Sequence, residues 1–443
     1  MGYIYTKSGK LAKRLYFGAV LLFEGLYYTF KNRVLADGGT FLENELPTIS
    51  QDASLVLTPN AYKAGKLYSA VPNDGTGDFT VDRNSTATYI DEDGILRTAL
   101  ANVARIDYSS GEAVVLIEAQ RINYIKYSSD FTKSVNNGFV LSQGVDFGIA
   151  SFTKIIATNA SSLHRIYRLE GAVVSGNVSV TLFVRKNNYR YVRLNSTSSG
   201  RGVTFDFNTE SYANINGIAL TIKKLPDGIY KIGFIETVAS GTNVGYQMSA
   251  SDVFISNAVT VFQGDGVSGV DIWGAQIEEG STPTSHIPTN GTTETRLLDV
   301  IGNSTLNYSG DYTIIFEIDR LFNFTKGSTS VLRMTDLIGN ILHIYTNGVN
   351  PNYNIYLNQD GGYVYGFSLK SSAIGLNKLA ISFSNNIIKF YMNGVVIGDT
   401  YSTLYRGLSK IDFLSYRTSK SVLSTKIYPT ALTDAQLIAL TTL

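Results

Sequence analysis

The sequence SVTLFVRKNNYRYVRLN fills residues 179–195 and contains two strand-like runs with a polar turn between them. Similar runs follow, namely GVTFDF at 202–207, ALTIKKL at 219–225 and YKIGFIET at 230–237. Each run alternates apolar and polar residues or stays apolar for four to eight positions, which is typical of a strand. Short strands separated by turn signals predict an antiparallel β-sandwich in this part of the chain.

The composition of the whole chain agrees with an all-β protein. Its 443 residues include 29 Tyr and 22 Phe but only 8 Pro, and aromatic residues suit a half-buried pleated surface. The 37 basic and 36 acidic residues nearly cancel, so no overall charge attracts the chain to nucleic acid or to an anionic membrane. The chain has no cysteine, which excludes disulfides, thiolate metal sites and cysteine nucleophiles.

A second β region is indicated near the C-terminus. Residues 375–399 read GLNKLAISFSNNIIKFYMNGVVIGD, and their alternating apolar positions predict two successive hairpins. The step Asn393-Gly394 suits a two-residue hairpin turn. Near the end of the chain, Thr433 and Gln436 have the spacing of a capping box, which predicts a short terminal helix.

The first 35 residues differ from the rest. Residues 11–30, LAKRLYFGAVLLFEGLYYTF, are apolar on nearly every side of a helix and are flanked by basic residues. A signal peptide would need a small-residue cleavage site, and the sequence around Glu24 is a poor one. Glu24 also interrupts any membrane span. The favoured interpretation is a helix buried against partner chains, serving as an anchoring or assembly segment.

Two segments on either side of the middle region resemble a known family. They are RNSTATYIDEDGILRTALANVARIDY at 83–108, continued by LIEAQRINYIKYSSDF at 116–131, and DIWGAQIEEGSTPTSHIPT at 271–289. Both resemble structural proteins of tailed bacteriophages, particularly fibre and receptor-binding components. The resemblance implies a jelly-roll sandwich of carbohydrate-binding type, and the C-terminal region is similar to the concanavalin A-like or laminin-G-like sandwich.

These observations together predict an all-β fold with four divisions. The predicted divisions are a helical anchor at 1–35, an extended connector at 36–80, a jelly-roll sandwich at 81–295 and a concanavalin A-like sandwich at 296–443. Within the phage-like motif, the charged residues are expected to pair with one another or with backbone. These structural residues are Arg83, Arg105, Asp107, Glu118 and Arg121.

The resemblance implies a non-enzymatic virion protein, a head or tail fibre or similar appendage, located on the surface of the phage particle. Its implied partners are other virion proteins, reached through the N-terminal segment, and a host-surface glycan or receptor. By resemblance the chain is a homotrimer, and neither nucleic acid nor a membrane span is expected. Two alternatives stay open at this point, a capsule depolymerase and a secreted bacterial surface lectin.

The sequence offers few residues for catalysis. Glu317 and Asp319 are two positions apart and share one face of a strand. Glycosidases of the concanavalin type need a third acid two or three positions further on. In this chain Leu321 and Phe322 occupy those two positions. The pair is therefore interpreted as solvent-facing residues near Arg320 or Arg333.

Metals and cofactors are not indicated either. The three histidines, His164, His286 and His343, lack any zinc-binding spacing. Acidic turns at 74–78 and 91–93 would suit a structural calcium ion, although turn-forming aspartates are the commoner explanation. No cofactor is expected.

One strand offers a candidate carbohydrate site. On it Val192 and Leu194 would face the core, so that Tyr189, Tyr191 and Arg193 would share the opposite, outward face. Such a stripe suits a glycan platform, but it equally suits an interface with a neighbouring subunit. The only tryptophan, Trp273, is interpreted as a core anchor and not as a sugar-stacking ring.

Overall fold

The structure is a computed structural model, and it describes residues 17–42, 52–215, 219–256, 261–320, 328–347, 350–359, 362–369, 375–401, 405–414 and 419–443. Within these ranges the chain is almost entirely β, with antiparallel pairing throughout, as the sequence predicts. The described residues form two α-helices, α1 (Phe17–Ala36) and α2 (Asp434–Thr441). Two short 3₁₀ turns lie at Phe131–Lys133 and Pro226–Gly228.

The strands in the first half of the described chain are β1 (Thr40–Phe41), β2 (Leu55–Lys63), β3 (Lys66–Val71), β4 (Phe79–Asp82), β5 (Ala87–Ile90), β6 (Leu96–Ala99), β7 (Ile106–Asp107), β8 (Val114–Glu118), β9 (Arg121–Asn123), β10 (Val135–Asn137), β11 (Phe139–Phe147), β12 (Ala150–Ala157), β13 (Ser161–Leu163), β14 (Arg165–Lys186), β15 (Tyr191–Ser196), β16 (Gly202–Asp206) and β17 (Ser211–Ile215).

The strands in the second half are β18 (Ala219–Lys224), β19 (Ile229–Ser251), β20 (Val261–Gln263), β21 (Gly269–Glu279), β22 (Glu294–Arg296), β23 (Val300–Asn303), β24 (Tyr312–Arg320), β25 (Ser328–Thr335), β26 (Ile341–Asn347), β27 (Asn350–Gln359), β28 (Gly362–Leu369), β29 (Gly375–Ser384), β30 (Ile387–Met392), β31 (Val395–Tyr401), β32 (Lys410–Leu414) and β33 (Ser419–Tyr428).

One sandwich is built from both ends of the chain, and we call it the terminal sandwich. Its C-terminal strands, β23 to β33, pair with strands that precede the middle region: β2 and β8 both pair with β33, and β4 pairs with β23. One continuous apolar core joins the two sets, because Leu57, Phe79 and Ile117 pack with Phe316 and Phe413.

The second sandwich, which we call the inserted sandwich, is formed by β10–β12, β14–β19 and β21. Its two longest strands, β14 and β19, pair with each other along nearly their whole length. A separate apolar core fills it, and this core includes Val180, Val192, Phe205, Met248 and Ile272.

The predicted domain boundaries differ from this arrangement. The region 36–80 was predicted to be an extended connector, but it contributes β1 to β4 to the terminal sandwich. The division at 81 is also wrong, because β4 and β8 pair with β23 and β33. The partners of these short strands lie about two hundred or more residues away in sequence, so no local pattern identifies them. The inserted sandwich therefore interrupts the terminal one.

The hairpins and the terminal helix predicted near the C-terminus are confirmed. β29, β30 and β31 form the two predicted hairpins, and the turn residues Asn393 and Gly394 have φ of 51° and 78°. Both values lie in the region that a tight hairpin turn requires. Thr433 caps α2 in a full capping box with Gln436.

Helix α1 lies at the predicted N-terminal position, and residues 1–16 of the predicted anchor lie outside the described residues. Phe30 and Val34 are fully buried against the terminal sandwich in a cluster with Tyr68, while Tyr28 and Leu35 are exposed. The helix is therefore not buried on every face within its own chain. No described helix is long and apolar enough to cross a membrane. Contact of α1 with partner chains stays a prediction.

Candidate functional site

Charged residues of the first phage-like segment and of residues 296–299, which follow the second segment, form a buried ionic cluster at the junction of the sandwiches. Arg83 Nη1 lies 2.9 Å from Asp299 Oδ1, Arg105 Nη1 lies 2.6 Å from Glu118 Oε2, and Arg296 Nη1 lies 2.9 Å from the same Glu118 oxygen. Arg105 Nη2 also pairs with Asp299 Oδ2. These five side chains are at most 2% exposed. We call this cluster the ionic joint.

The charges of the ionic joint stabilise one another. Burial by itself would raise the pKa of Glu118, but Arg296 and Arg105 outweigh it and hold that pKa far below its usual range. Glu118 also accepts hydrogen bonds from the backbone N–H and the hydroxyl of Ser285, at 2.7 and 2.6 Å. Such buried ion pairs are costly to break, because a remaining partner would be left charged in an apolar interior. The predicted structural role of Arg83, Arg105 and Glu118 is confirmed.

Hydrogen bonds from side chains to backbone hold the same two segments together. Asn123 Nδ2 donates to Ile287 O at 2.9 Å, and Asn123 Oδ1 accepts from Ile277 N at 3.2 Å. Ser128 and Thr289 bond to each other's backbone N–H groups, at 2.9 and 3.0 Å. Strands β9 and β22 pair beside these bonds, where the chain enters and leaves the inserted sandwich.

Trp273 is a core residue, as predicted. It is 1% exposed, and its ring centroid lies 5.1 Å from that of Phe183 and 4.4 Å from that of His286. The following residue, Gly274, has a φ of 63°, and a Cβ there would approach Phe183 Cδ2 to 3.0 Å. Glycine at position 274 therefore lets Phe183 pack beside Trp273, where a larger residue would clash with Phe183.

The inserted sandwich has a polar surface on the side of β15 and β19 that lies opposite its core. Val192 and Leu194 on β15 belong to the core, so Tyr191, Arg193 and Asn195 point to the other side. On the paired strand β19, Ser249 lies opposite Arg193 and Gln247 lies opposite Asn195. We call the surface formed by Tyr191, Arg193, Asn195, Gln247 and Ser249 the polar face.

Several atoms of the polar face lack hydrogen-bond partners within the described part of the chain. They are Arg193 Nε and Nη1, Asn195 Oδ1, Gln247 Nε2 and Ser249 Oγ. All four residues are at least nine-tenths buried, and an unsatisfied buried polar group costs roughly 1–3 kcal/mol. Such atoms, concentrated on one face, require partners that the described residues do not supply, such as ordered water, an ion or a ligand.

Arg193 is the centre of this face. Its Nη2 donates to Gly200 O at 3.0 Å, but no carboxylate pairs with it among the described residues. Burial lowers the pKa of Arg193 to about 10. The loop after β19 covers part of the face, since Thr204 Oγ1 donates to Ile255 O at 2.6 Å and Ile255 is buried.

Aromatic side chains border the polar face. Tyr191 is half-buried and makes an edge contact with Phe254, with 5.7 Å between the ring centroids, and Phe254 is 48% exposed. Arg190 lies over the Tyr191 ring at 4.9 Å and forms a bidentate pair with Asp206, with hydrogen bonds of 3.0 and 2.7 Å. Phe254 was not identified from the sequence, because it lies in a loop without apolar periodicity.

The predicted stripe of Tyr189, Tyr191 and Arg193 is only partly formed. Tyr189 precedes β15, is 6% exposed and packs in the core, with its ring centroid 5.9 Å from that of Phe262. Arg193 shares a face with Tyr191 as predicted, but it is 1% exposed and does not project into solvent. The outward orientation is thus wrong for Tyr189 and Arg193, because the chain after β19 crosses this face. Glycan binding by the three residues stays a prediction.

The acidic pair Glu317 and Asp319 lies on β24 of the terminal sandwich. The sequence predicted that both side chains face solvent, but both are half-buried. Burial raises the pKa of Asp319, while Lys223 opposes this shift. Glu317 interacts with Lys426. In these positions Asp319 lies near Lys223 and Glu317 lies near Lys426.

The histidines lie apart from one another, His343 on β26 and the other two in separate loops of the middle region. In the described ranges no group of three His, Cys, Asp or Glu side chains could hold a metal ion. Of the acidic turns, Asp74 accepts two hydrogen bonds from Thr76, and Asp91 accepts from Ile95 N at 2.8 Å. These aspartates form turns.

Comparison with known proteins gives no family. No protein-family model matches the sequence, and no curated protein matches it. Among solved structures, a Ruminococcus gnavus sialidase module, CBM40, bound to α2,3-sialyllactose is 20% identical over 30% of this chain and 83% of that one, with a TM-score of 0.25. A Caenorhabditis elegans galectin is 11% identical over 28% and 88%, also with a TM-score of 0.25. The binding domain of botulinum neurotoxin serotype D is 11% identical over 32% and 40%, with a TM-score of 0.26.

Proposed function

We propose that this chain is a non-enzymatic adhesion protein of a tailed-phage particle, a head or tail fibre or similar appendage that binds a host-surface glycan through the polar face. The observation that supports glycan binding is Arg193, a buried cation whose free N–H groups have no carboxylate among the described residues. A saccharide that carries an acidic group would supply that carboxylate.

The chemistry of the polar face matches such a ligand. The planar guanidinium of Arg193 suits bidentate binding of a carboxylate. Gln247 Nε2 and Asn195 Oδ1 offer a donor and an acceptor for hydroxyl groups. At the border, the exposed ring of Phe254 and the half-buried ring of Tyr191 are placed to pack against a sugar ring. Binding requires movement of the loop at 252–256, which lies over Thr204.

Replacement of Arg193 by methionine tests the binding site. We expect Arg193→Met to weaken binding of an acidic oligosaccharide at least tenfold, because a charge-assisted hydrogen bond is worth about 1.5–3 kcal/mol. The variant should be no less stable than the parent, since it removes an unpaired buried charge. The measurement is a glycan array followed by calorimetry with matched acidic and neutral oligosaccharides.

The control for this experiment is Arg201→Met, which removes an exposed arginine from the neighbouring turn. It should leave binding unchanged. Equal binding of acidic glycans by the parent and by Arg193→Met would contradict the proposed site, and so would a preference for neutral glycans.

The virion location rests on the resemblance of the two phage-like segments, the first of which contributes Arg83, Arg105 and Glu118 to the ionic joint. A rigid joint suits an appendage, because two sandwiches held at a fixed orientation can project together from a particle. Labelled antibodies against this chain should decorate phage particles in electron micrographs, and mass photometry of the purified chain should give a trimer. An undecorated particle, or a monomer at micromolar concentration, would contradict this part of the proposal.

A non-enzymatic role gives a separate expectation. Incubation with host capsular polysaccharide should release no reducing sugar, because Glu317 and Asp319 have no third acid beside them in the sequence. Release of reducing sugar that is lost in Glu317→Gln or Asp319→Asn would instead support the depolymerase alternative.

A further inference from the structure

A small cavity lies between the two sandwiches, beside the ionic joint and away from the polar face. Its volume is about 90 Å³, room for about three water molecules or one small organic ion. Apolar side chains form most of its wall, including Leu96, Leu116, Phe183 and Ile222. We call it the joint cavity.

Two lysines, Lys223 and Lys231, line the joint cavity, and neither is in direct contact with a carboxylate among the described residues. Lys231 Nζ donates to the backbone oxygen of Thr284, and Lys223 Nζ donates to Ser109 Oγ. Neither ammonium group forms a direct ion pair within the described ranges, which include every other residue lining the cavity. Asp319 attracts Lys223, and Glu278 and Glu118 attract Lys231, from a longer distance.

The carboxylates of the wall are already engaged. Glu118 pairs with Arg105 and Arg296 in the ionic joint. Asp107 accepts from Ile90 N at 2.9 Å and from Ser109 N at 3.0 Å. The joint cavity therefore presents two ammonium groups in an apolar setting with no carboxylate in direct contact with them, and such a cation is costly to bury.

A neutral donor lies next to Lys231. His286 is 1% exposed, and neither ring nitrogen has a partner among the described residues. Burial lowers the pKa of His286 well below its ordinary value, and the nearby Lys231 lowers it further. The imidazole is therefore neutral and has one N–H to donate. Burial also lowers the pKa of Lys231 to about 8, which leaves most of it charged at pH 7.

We propose that the joint cavity binds a small organic monocarboxylate. Its carboxylate accepts hydrogen bonds from Lys231 and His286, and its short alkyl chain packs against Leu96, Leu116 and Phe183. The apolar wall favours such an ion over phosphate or sulfate, whose remaining oxygens would stay unsatisfied. Because residues of both sandwiches line the cavity, the bound ion strengthens their junction. This site is independent of the proposed glycan site.

Butyrate is a suitable probe because its size matches the cavity. We expect butyrate to bind the full chain saturably in calorimetry at pH 7 and to raise its melting temperature above that in sodium chloride of equal concentration. Butyramide, which has the same shape without the charge, and inorganic phosphate should produce neither effect. Equal responses to butyrate and butyramide would overturn the proposal, as would the absence of saturable butyrate binding.

The variant Lys231→Met tests whether Lys231 binds the ligand or only stabilises the fold. This variant keeps the apolar stem and removes the charge, so it should bind butyrate at least tenfold more weakly while being as stable as the parent without ligand. The control is Lys224→Met, an exposed lysine on the same hairpin that pairs with Glu210 and should leave butyrate binding intact. Undiminished butyrate binding by Lys231→Met would show that the ion binds elsewhere.

Discussion

Asp299→Asn is expected to lower the free energy of unfolding by about 3–5 kcal/mol, the usual cost of removing one partner from a buried ion pair. Asp299 accepts a 2.9 Å bond from Arg83 Nη1, a bond from Arg105 Nη2 and a 2.8 Å bond from Glu118 N. The amide cannot balance two arginines, so both would remain charged and underpaired at the junction.

Urea denaturation, followed by the fluorescence of the single tryptophan, measures this effect. The matched control is Glu210→Gln, an isosteric change in the exposed pair between Glu210 and Lys224, whose side chains are 47% and 59% exposed. Solvent screens that pair, so the midpoint should hardly move. If both variants shift the midpoint equally, the ionic joint does not have the structural importance argued above.

Trp273→Ala is expected to destabilise the protein by about 3–5 kcal/mol, the usual range for truncation of a buried tryptophan. The indole fills the small core between the β5–β6 hairpin and the inserted sandwich, where it contacts Phe147, Phe183 and His286. Truncation leaves a cavity that these rings, held on strands and tight turns, cannot close.

Thermal unfolding followed by circular dichroism measures the loss, since the variant has no tryptophan fluorescence. Trp273→Phe should cost less, because it keeps an aromatic ring in the cluster. Tyr191→Ala serves as the contrasting variant, since it should weaken glycan binding with little loss of stability. A Trp273→Ala protein of parental stability with impaired glycan binding would mean that Trp273 is a sugar-stacking residue after all.

Local sequence patterns were sufficient for the strands. The runs at 202–207 and 219–225 correspond to β16 and β18 within one residue. The hairpins at 375–399 and the capping box at Thr433 are also confirmed. These features depend on side-chain alternation, turn residues and capping bonds, all of which act between residues close in sequence.

The arrangement of the strands was not available from those patterns. β2 pairs with β33 across more than 350 residues, so the region predicted to be a connector is part of the terminal sandwich. A strand of nine residues has the same alternation whatever its partner, because pairing is through backbone groups that every residue has. The sequence therefore predicts that a strand forms, and long-range packing determines which sheet it joins.

The candidate site, too, was predicted only in part from local sequence patterns. Alternation along β15 placed Tyr191 and Arg193 on one face, and this is confirmed. It could not show that the chain after β19 crosses that face, buries Arg193 and brings Phe254 beside Tyr191. Those contacts depend on a loop whose path is fixed by tertiary hydrogen bonds such as that between Thr204 and Ile255.

For this protein, the sequence by itself determined the all-β class, the hairpins, the terminal helix and the structural role of Arg83, Arg105 and Glu118. Only the tertiary structure decided that one sandwich is inserted into the other and that Arg296 and Asp299 complete the ionic joint. It also decided that Arg193 is buried and Lys231 half-buried, neither in ion-pair contact with a carboxylate among the described residues. The physical reason is range: propensity and periodicity act over a few residues, whereas burial and charge pairing depend on which distant strands come together.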